Sequence, residues 1–575
     1  MKQTRPTDDI AADALHFLPL GGTGEIGMNL NLYGLDGKWL MVDLGISFAD
    51  ESLPGIDIIM PDPTWIEDRR DDLIAIVLTH AHEDHLGAVA HLWPELRVPV
   101  YATPFAAGVL RHKLIEAGLQ DEVEVHILDD DKPLVLGPFT IGLLPITHSI
   151  PEMRSLVIDT RFGRVVHSGD WKLDPEPLVG PATRPEDFTA AGDAGVLALV
   201  CDSTNVLKAG RSGSESRVRD QLMEIVGRCK RRVAVTTFSS NIARVQTIAE
   251  VAAAHGRDLV LVGRSVNRMV SVARECGYLP GLRAPIPPKE AGFLPPDKTL
   301  LLCTGCQGEP NGAMARIAAG EHPDIGIDAG DTVIFSSKVI PGNERSLFAL
   351  HNTLARSGVE VVSELDHFVH VSGHPARDEL TDMYRWVRPR IAVPVHGEAR
   401  HLYEHAALAR SLGVPEAPVL RNGDILRLAP GPATIVGQAE TGRLALSGSG
   451  LVPVDGLLVR ERRRLVFNGA ATATLVVDQE GKPIAPLRVT TIGIFEDGTE
   501  DDILEDMEAE LARELRALRT AERRSDANLT EAVRRAVRRV VRRLSGHRPT
   551  TIVEVVRVGD KPARKGRKVS EVEAA

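Results

Sequence analysis

No uninterrupted apolar run in this 575-residue chain is long enough to span a bilayer. The stretch from Met1 to Ala14 is polar and acidic and lacks a signal-peptide core. Membrane insertion and secretion are therefore not expected. Cysteine is scarce: five residues, an odd number without a regular framework, which argues for a reducing cytosol and against a disulfide scaffold. Cys303-Thr304-Gly305-Cys306 has C-x-x-C spacing, but no second pair or histidine cluster completes a zinc site. We expect both thiols to be buried where a strand turns. Positive charge is also in deficit. The 67 Lys and Arg residues face 79 Asp and Glu, for a net charge of −12, which argues weakly against nucleic acid. A metal-lined cleft can nonetheless hold phosphate locally while the rest of the surface stays acidic. What remains is an ordinary soluble globular composition, 43% apolar and 25% charged, in a length sufficient for three or four domains.

The most informative run is Thr79-His80-Ala81-His82-Glu83-Asp84-His85-Leu86-Gly87, directly after the apolar Ile74-Ala75-Ile76-Val77-Leu78. A strand ending there would project His80 and His82 to one face, since side chains two apart share a face. Asp84 and His85 on the following turn can then address a second ion. Mixed imidazole and carboxylate donors suit zinc, manganese or iron and disfavour calcium and magnesium. The competing reading is a histidine cluster on a solvated loop. H-x-H-x-D-H after a buried strand favours the metal.

Gly22, Gly24 and Gly27 match a dinucleotide fingerprint, with Asp43 at the distance of its acidic partner. That fingerprint must open a helix, whereas Asn29-Leu30-Asn31-Leu32-Tyr33 alternates as a strand and turns at Asp36-Gly37 into Lys38–Asp43. The loop is expected instead to bring bare backbone close to the metal cleft. From residue 70 onward, short apolar runs (74–79, 196–201, 233–237, 259–263, 299–303, 332–335, 390–395) alternate with helical stretches. Several end in His80, Asp202, Ser239, Ser336 and His396, and layered α/β architectures place ligands at strand ends. Two metal shells need more donors than one run supplies. His148 and His396 end further apolar runs, and Asp170 follows His167-Ser168-Gly169, where a tight turn can aim its carboxylate between ions.

This pattern of Asp43, His80/His82/Asp84/His85, His148 and Asp170 resembles the metallo-β-lactamase superfamily. Three later motifs, Cys201–Asn205, His370-Val371-Ser372-Gly373-His374-Pro375 and Val395-His396-Gly397-Glu398, look like those of the β-CASP nucleases. With the glycine loop and the C-terminal region, the chain resembles the ribonuclease J family along nearly its whole length. The fold so implied is α/β: an αββα sandwich interrupted by an inserted α/β β-CASP domain, plus a small C-terminal α/β domain. The expected boundaries are 1–209 and 371–446 for the sandwich, 210–370 for the insertion, 447–465 for a Gly/Ser linker, 466–560 for the C-terminal domain, and 561–575 for a disordered tail. In that last domain we expect a strand (487–494), an acidic helix from Asp501 to about Arg523, a helix Leu529–Leu544 capped by Asn528 or Thr530, and a strand Thr551–Val558. The resemblance implies two divalent ions per subunit, Zn²⁺ with Mn²⁺ as alternative. His80, His82 and His148 would hold one, and Asp84, His85 and His396 the other, with Asp170 bridging and Asp43 orienting a ligand histidine.

Two ions about 4 Å apart can share a hydroxide and clamp a phosphate oxygen during in-line displacement. His374, held by Asp202, would protonate the departing 3′ oxygen, with Asp84 among the catalytic groups. The plainer alternative is that Asp202 caps a turn and His374 merely packs. Histidine at 396 resembles the RNA-directed members of the group. His370, Ser372, Gly373 and His374 match the family's phosphate pocket, and Ser239 and Asn241 are candidate contacts that read equally well as a helix N-cap. The function expected from the resemblance is a 5′→3′ exoribonuclease, with endoribonuclease activity, on single-stranded RNA carrying a 5′-monophosphate, in RNA decay and rRNA or mRNA maturation. The rivals are another hydrolase on the same scaffold (a DNA nuclease or small-molecule hydrolase) and a catalytically silent scaffold. A homodimer or homotetramer through the C-terminal domain, other RNA-decay proteins as partners, and a cytoplasmic location complete the expectation. The arginines 534, 535, 538, 539, 542 and 543 line one face of an amphipathic helix. We expect them to serve packing and assembly, by pairing with Asp501, Asp502, Glu505, Asp506, Glu508 and Glu510, rather than to bind RNA.

Overall fold

A computed structural model describes residues 10–340, 342–496 and 500–559, without the side chains of 500–502. The described chain divides into two compact units: residues up to Phe48 with Ile58–Ala445, and Ala49–Asp57 with Leu446 onward.

The larger unit contains an αββα sandwich. Its eight-stranded sheet has the strands Leu15–Gly21, Leu30–Leu35, Lys38–Val42 and Leu73–Val77 as neighbours at its centre. Asp36 and Gly37, both at positive φ, make the tight hairpin turn between Leu35 and Lys38. The six-stranded sheet ends with the parallel neighbours Gly163–His167, Val196–Asp202 and Ile391–Val395. Alternation along these strands divides the core in two. Val165, Ala198, Val200, Val393 and Val395 meet Phe17, Tyr33, Val42 and Val77 between the sheets. Val166, Leu199, Cys201 and Ala392 face the helices Pro185–Asp193, Arg377–Val387 and Ala399–Ser411 on the outside.

Because Val196–Asp202 pairs directly with Ile391–Val395, everything between them is an insertion into one sheet. It holds a five-stranded parallel sheet in the order Asp258–Val262, Thr299–Cys303, Val233–Thr236, Thr332–Phe335, Glu360–Val362. Strands covered on both faces must be apolar throughout, which is why these segments read as unbroken runs rather than alternating ones. The interrupted sandwich with an inserted α/β domain is the architecture expected. The glycine loop does not open a helix: Thr23–Gly24 pairs in parallel with Gly397–Glu398, and Gly22 O accepts the His396 N–H at 2.7 Å.

In the smaller unit, the strand Ala470–Val477 lies between Arg488–Ile492 and Thr550–Arg557. Two helices, Glu500–Ala517 and Asp526–Ser545, pack on this sheet through Met507, Leu511, Val533, Val537 and Val540. The second helix starts earlier than expected, with Ser525 and not Asn528 or Thr530 as N-cap; the Asn528 amide instead donates to Glu522 O. Arg539 pairs with Glu510 and Glu514, Arg535 with Glu514, and Arg543 with Asp506, so part of the basic face is matched within the chain, through Asp506 and Glu510 of the expected partners and through Glu514. The side chains of Asp501 and Asp502, and the tail from 561 onward, lie outside what the structure describes. Residues 447–465, read as a linker, carry the strand Gly450–Pro453 and most of the helix Leu457–Asn468. Arg462 of that helix donates to Ser447 Oγ and Gly55 O, and Arg463 to Ser52 O, so the segment is held by its own arginines. No helix among the described residues is long and apolar enough to cross a membrane.

Candidate metal centre

The strand Leu73–Val77 stops short of the histidine run, contrary to the expectation that it would carry His80. Asp43, at a positive φ of 65°, takes the Thr79 N–H on Oδ1 at 2.8 Å and the Thr79 hydroxyl on Oδ2 at 2.9 Å, ending the sheet ladder there. His82 then caps the short helix Glu83–Leu86, which carries Asp84 and His85. The approach is close: a Cβ on Gly45 would lie 1.7 Å from Asp84 O, so only glycine fits there.

Three groups of donor atoms result, each with its members within 4.8 Å of one another: His80, His82, His148 and Asp170; Asp84, His85, Asp170 and His396; and Asp170, Asp202 and His374. Asp170 belongs to all three. The hydrogen bonds fix which ring nitrogen of each histidine is bare. The His85 Nδ1–H donates to Asp43 Oδ2 at 2.7 Å, and His148 Nδ1–H donates to the Gly373 carbonyl at 2.6 Å. His80 Nδ1 lies 3.0 Å from Thr79 Oγ, whose own proton goes to Asp43, so this nitrogen is also the donor. Asn29 gives its amide N–H to Asp84 O at 3.0 Å, which turns Oδ1 toward His396 Nδ1 at 3.0 Å. His80, His148 and His396 therefore present a bare Nε2, while His85 Nε2 lies 3.1 Å from Asn29 Nδ2 and 3.2 Å from Asp170 Oδ2. His82 is reversed: its Nδ1 faces His80 Nε2 and His148 Nε2 at 3.0 Å each, with Nε2 3.5 Å from Ser149 Oγ.

Three ring nitrogens with at most one hydrogen among them, beside buried Asp170 Oδ1 and His396 Nε2 that have no hydrogen-bond partner among the described residues, form a donor set that fits a cation. The protonation states agree. Burial, then the neighbouring imidazoles, hold His80 well below its ordinary pKa. Burial also pushes His82 down to about 4 and His148 well below its usual value, leaving neutral ligands. Burial opposes charge on His85 too, but the carboxylates of Asp170, Asp84 and Asp43 outweigh it and raise this ring. Asp170 would be raised by burial, yet His396, His85 and His374 hold it well below the carboxylate range. The second group thus already attracts positive charge.

His374 stands 3.8 Å from Asp170, and its Nδ1–H donates to Asp202 Oδ2 at 2.8 Å. Burial would lower this imidazole, but Asp202 and Asp170 lift it to about 9. Asp202 is fully buried, and its Oδ1 takes the Thr204 N–H and hydroxyl. It therefore both closes a turn and holds His374. His370, Ser372 and Gly373 lie on the same loop as His374. Ser239 is half-buried between the strand Val233–Thr236 and the next helix. Asn241 caps the helix Ile242–Ala254, accepting the Arg244 N–H at 2.9 Å and donating to Glu215, so its amide is committed to the fold rather than to a substrate. Cys303 and Cys306 are buried, with thiols raised by desolvation. The sequence reading gave Asn29 no role at the site and Thr79 none beyond membership of the run. Nothing local marks Asn29 except its position directly after the glycine loop.

Four family profiles match this chain: a beta-lactamase superfamily domain over residues 50–192, the beta-CASP domain of ribonuclease J over 230–354, a Zn-dependent metallo-hydrolase RNA specificity domain over 358–417, and the ribonuclease J C-terminal domain over 457–558. A protein named ribonuclease J from Sinorhizobium meliloti is 45% identical over 88% of this chain and 91% of its own length. Another of that name, from Mycolicibacterium smegmatis, is 39% identical over 89% of this chain and 92% of its own. A solved protein of unknown function from Enterococcus faecalis is similar in fold alone, with a TM-score of 0.50 and 15% identity over 72% of this chain and all of its own.

Proposed function

The chain belongs to the ribonuclease J family of metallo-hydrolase ribonucleases, and from that premise we propose that it degrades single-stranded RNA from a 5′-monophosphorylated end, 5′→3′, with endonucleolytic cleavage as a second activity. Donor atoms of five imidazoles and two aspartates gathered in one cluster, with His374 beside them, support this reading above any other observation.

His80, His82 and His148 would hold one divalent ion and Asp84, His85 and His396 the other, with Asp170 shared. Zn²⁺ suits this mixed nitrogen and oxygen set, and Mn²⁺ is the alternative. Bound there, the ions supply Lewis-acid polarisation of the scissile phosphate and a nucleophile at neutral pH. The protein's own groups do the rest. Asp43 and Asn29 hold the rings of His85 and His396 in one tautomer. His374, oriented through Nδ1 by Asp202, turns Nε2–H to the departing 3′ oxygen and gives up its proton there. His370, Ser372 and Gly373 receive the terminal phosphate. A single strand passes between sandwich and inserted domain, where an A-form duplex is too wide.

We also infer cytoplasmic RNA decay and maturation as the setting, with other RNA-decay proteins as partners. The five free cysteines agree with a reducing compartment. Self-association into dimers or tetramers would use the C-terminal unit, whose sheet exposes Ile492, Ile552 and Val556.

Time courses on matched RNAs with 5′-monophosphate, 5′-triphosphate and 5′-hydroxyl ends, single-stranded and blunt duplex, with DNA as control, test the reading. Mononucleotides should appear first from the 5′ label of the monophosphorylated single strand and vanish with His80→Ala. Release from the 3′ end, or equal rates on duplex and DNA, would overturn it.

A further inference from the structure

Ser372 has a hydroxyl whose direction is settled by its neighbours. Asn205 Nδ2 lies 2.7 Å from Ser372 Oγ and 3.2 Å from the His374 carbonyl. A carbonyl can only accept, so the amide nitrogen must face it, and the side-chain oxygen of Asn205 points elsewhere. The two amide hydrogens then go one to His374 O and one to Ser372 Oγ. The backbone N–H of His374 also donates to Ser372 Oγ, at 3.2 Å. A hydroxyl oxygen has two lone pairs, and both are taken. Its single hydrogen is left with no acceptor among the described residues, on a side chain 8% exposed.

The surroundings favour an anion as that missing acceptor. His370, two residues earlier, has a buried Nδ1 without a partner. Burial first, then the positive charges of Arg244, Lys172, Lys338 and Lys208, hold its ring well below the usual pKa, so four cations act on this loop. Two of them are buried and ion-paired, Arg244 with Glu215 at 2.8 Å and Lys172 with Asp174 at 3.1 Å, whereas Lys208 and Lys338 are exposed. Arg244 holds the approach to the loop through Ser336 O, Ser336 Oγ and the Val369 carbonyl, at 2.9, 2.5 and 3.0 Å.

We propose that Asn205 is a positioning residue that sets the discrimination between phosphorylated and unphosphorylated 5′ ends, by saturating Ser372 as an acceptor and so making it an obligate donor to a terminal phosphate oxygen. This rests on the reading of the 370–374 loop as the 5′-end pocket and names the device that makes it selective. A 5′-hydroxyl end offers no anionic oxygen to that hydrogen. Asn205→Asp is nearly isosteric and reverses the polarity: the carboxylate accepts the Ser372 proton, which then no longer reaches the phosphate.

The test is kcat/KM on a single-stranded RNA with a 5′-monophosphate and on the same RNA with a 5′-hydroxyl, for the native protein, Ser372→Ala, Asn205→Asp and the double variant. The ratio of the two is read on one preparation, so any inactive fraction cancels. One hydrogen bond to a charged group corresponds to about a tenfold change or more. We expect the ratio to fall by about that factor in Ser372→Ala and by a similar factor in Asn205→Asp, with no further fall in the double variant. The loss should lie mainly in KM for the phosphorylated RNA. If Asn205→Asp is inactive on both RNAs, Asn205→Ala removes the donor without adding charge and must also lower the ratio. A native protein with no preference, or a Ser372→Ala ratio equal to native, overturns the phosphate pocket itself. A collapsed ratio in Ser372→Ala with a native ratio in the Asn205 variant overturns only the positioning role.

Discussion

At the scale of single residues, the candidate centre depends on groups that never meet the metal. Asp43 is buried, sits in left-handed backbone and spends one oxygen on Thr79 and the other on His85 and the Thr79 hydroxyl. Replacing it with asparagine keeps the shape but exchanges a charged acceptor for a neutral amide, weakening the hold on the His85 tautomer. Asp43→Asn should therefore lower affinity for Zn²⁺ by about 10–100-fold, measured by competition with a chromophoric chelator; unchanged affinity would remove Asp43 from the centre. The clustered donor residues were legible in the sequence because chemistry-bearing residues at the ends of apolar runs stand out. Asn29 was not, because what makes it useful is His396, 367 positions away. No local pattern encodes such a pairing. Asn241 shows the opposite failure: a polar residue after a strand is as readily a helix cap as a ligand, and here its amide went to the cap.

At the scale of elements, the parallel strands of the insertion and of the sheet end beside it were visible as unbroken apolar runs, since both of their faces are covered. The helix Leu457–Asn468 escaped because it buries only Val459 and is rich in arginine, so hydrophobic periodicity does not announce it. One buried carboxylate ties the insertion to the sandwich, and another holds the insertion itself together. Glu379 accepts from Leu173 N, Ser212 N and Oγ, and Ala376 N, at 2.7–2.9 Å. Glu215, on the first helix of the insertion, pairs with Arg244 at 2.8 Å. Burial would raise the Glu215 carboxyl, but Arg244 and Lys172 outweigh it and depress its pKa below the usual value. A depressed folded-state pKa means the carboxylate stabilises the fold fully above its unfolded pKa, and this is lost as pH falls through the folded value. The stability gap between native protein and Glu215→Gln should thus shrink as pH is lowered from about 5 to about 3, followed by urea unfolding; a gap that widens on acidification contradicts the ion pair. The helix Asp526–Ser545 contrasts packing with charge. Arg539 is 47% exposed, so solvent screens its ion pairs and Arg539→Ala should cost little. Val537→Ala, fully buried, should cost about 2 kcal/mol. Hydrogen exchange of that helix measures both, and equal losses would mean that its arginines, not its apolar stripe, hold it.

For the molecule as a whole, the two units should respond differently to metal. The donor groups at 80–85, 148, 170 and 396 come from four separate stretches of the chain, and both segments that flank the insertion contribute. Such a set exists only when the sandwich is folded, so an ion bound there stabilises the folded larger unit by mass action. At a free concentration near a thousand times its dissociation constant, the gain is about 4 kcal/mol. The smaller unit has its own core of Val537, Leu511 and their neighbours, and no cluster of histidines, cysteines and carboxylates with metal-ligand spacing was found among its described residues. Scanning calorimetry of the full chain should therefore show one transition that falls on exhaustive chelation and recovers with Zn²⁺ or Mn²⁺. The transition of the C-terminal unit should stay where it was. His80→Ala should lower the first transition in metal-containing buffer and make it insensitive to chelator, whereas Val537→Ala should lower only the second. A thermogram unchanged by chelation, from protein shown to have carried metal beforehand, would mean that the ions sit elsewhere than in the cluster around Asp170, and the ribonuclease chemistry assigned to that cluster would fall with it.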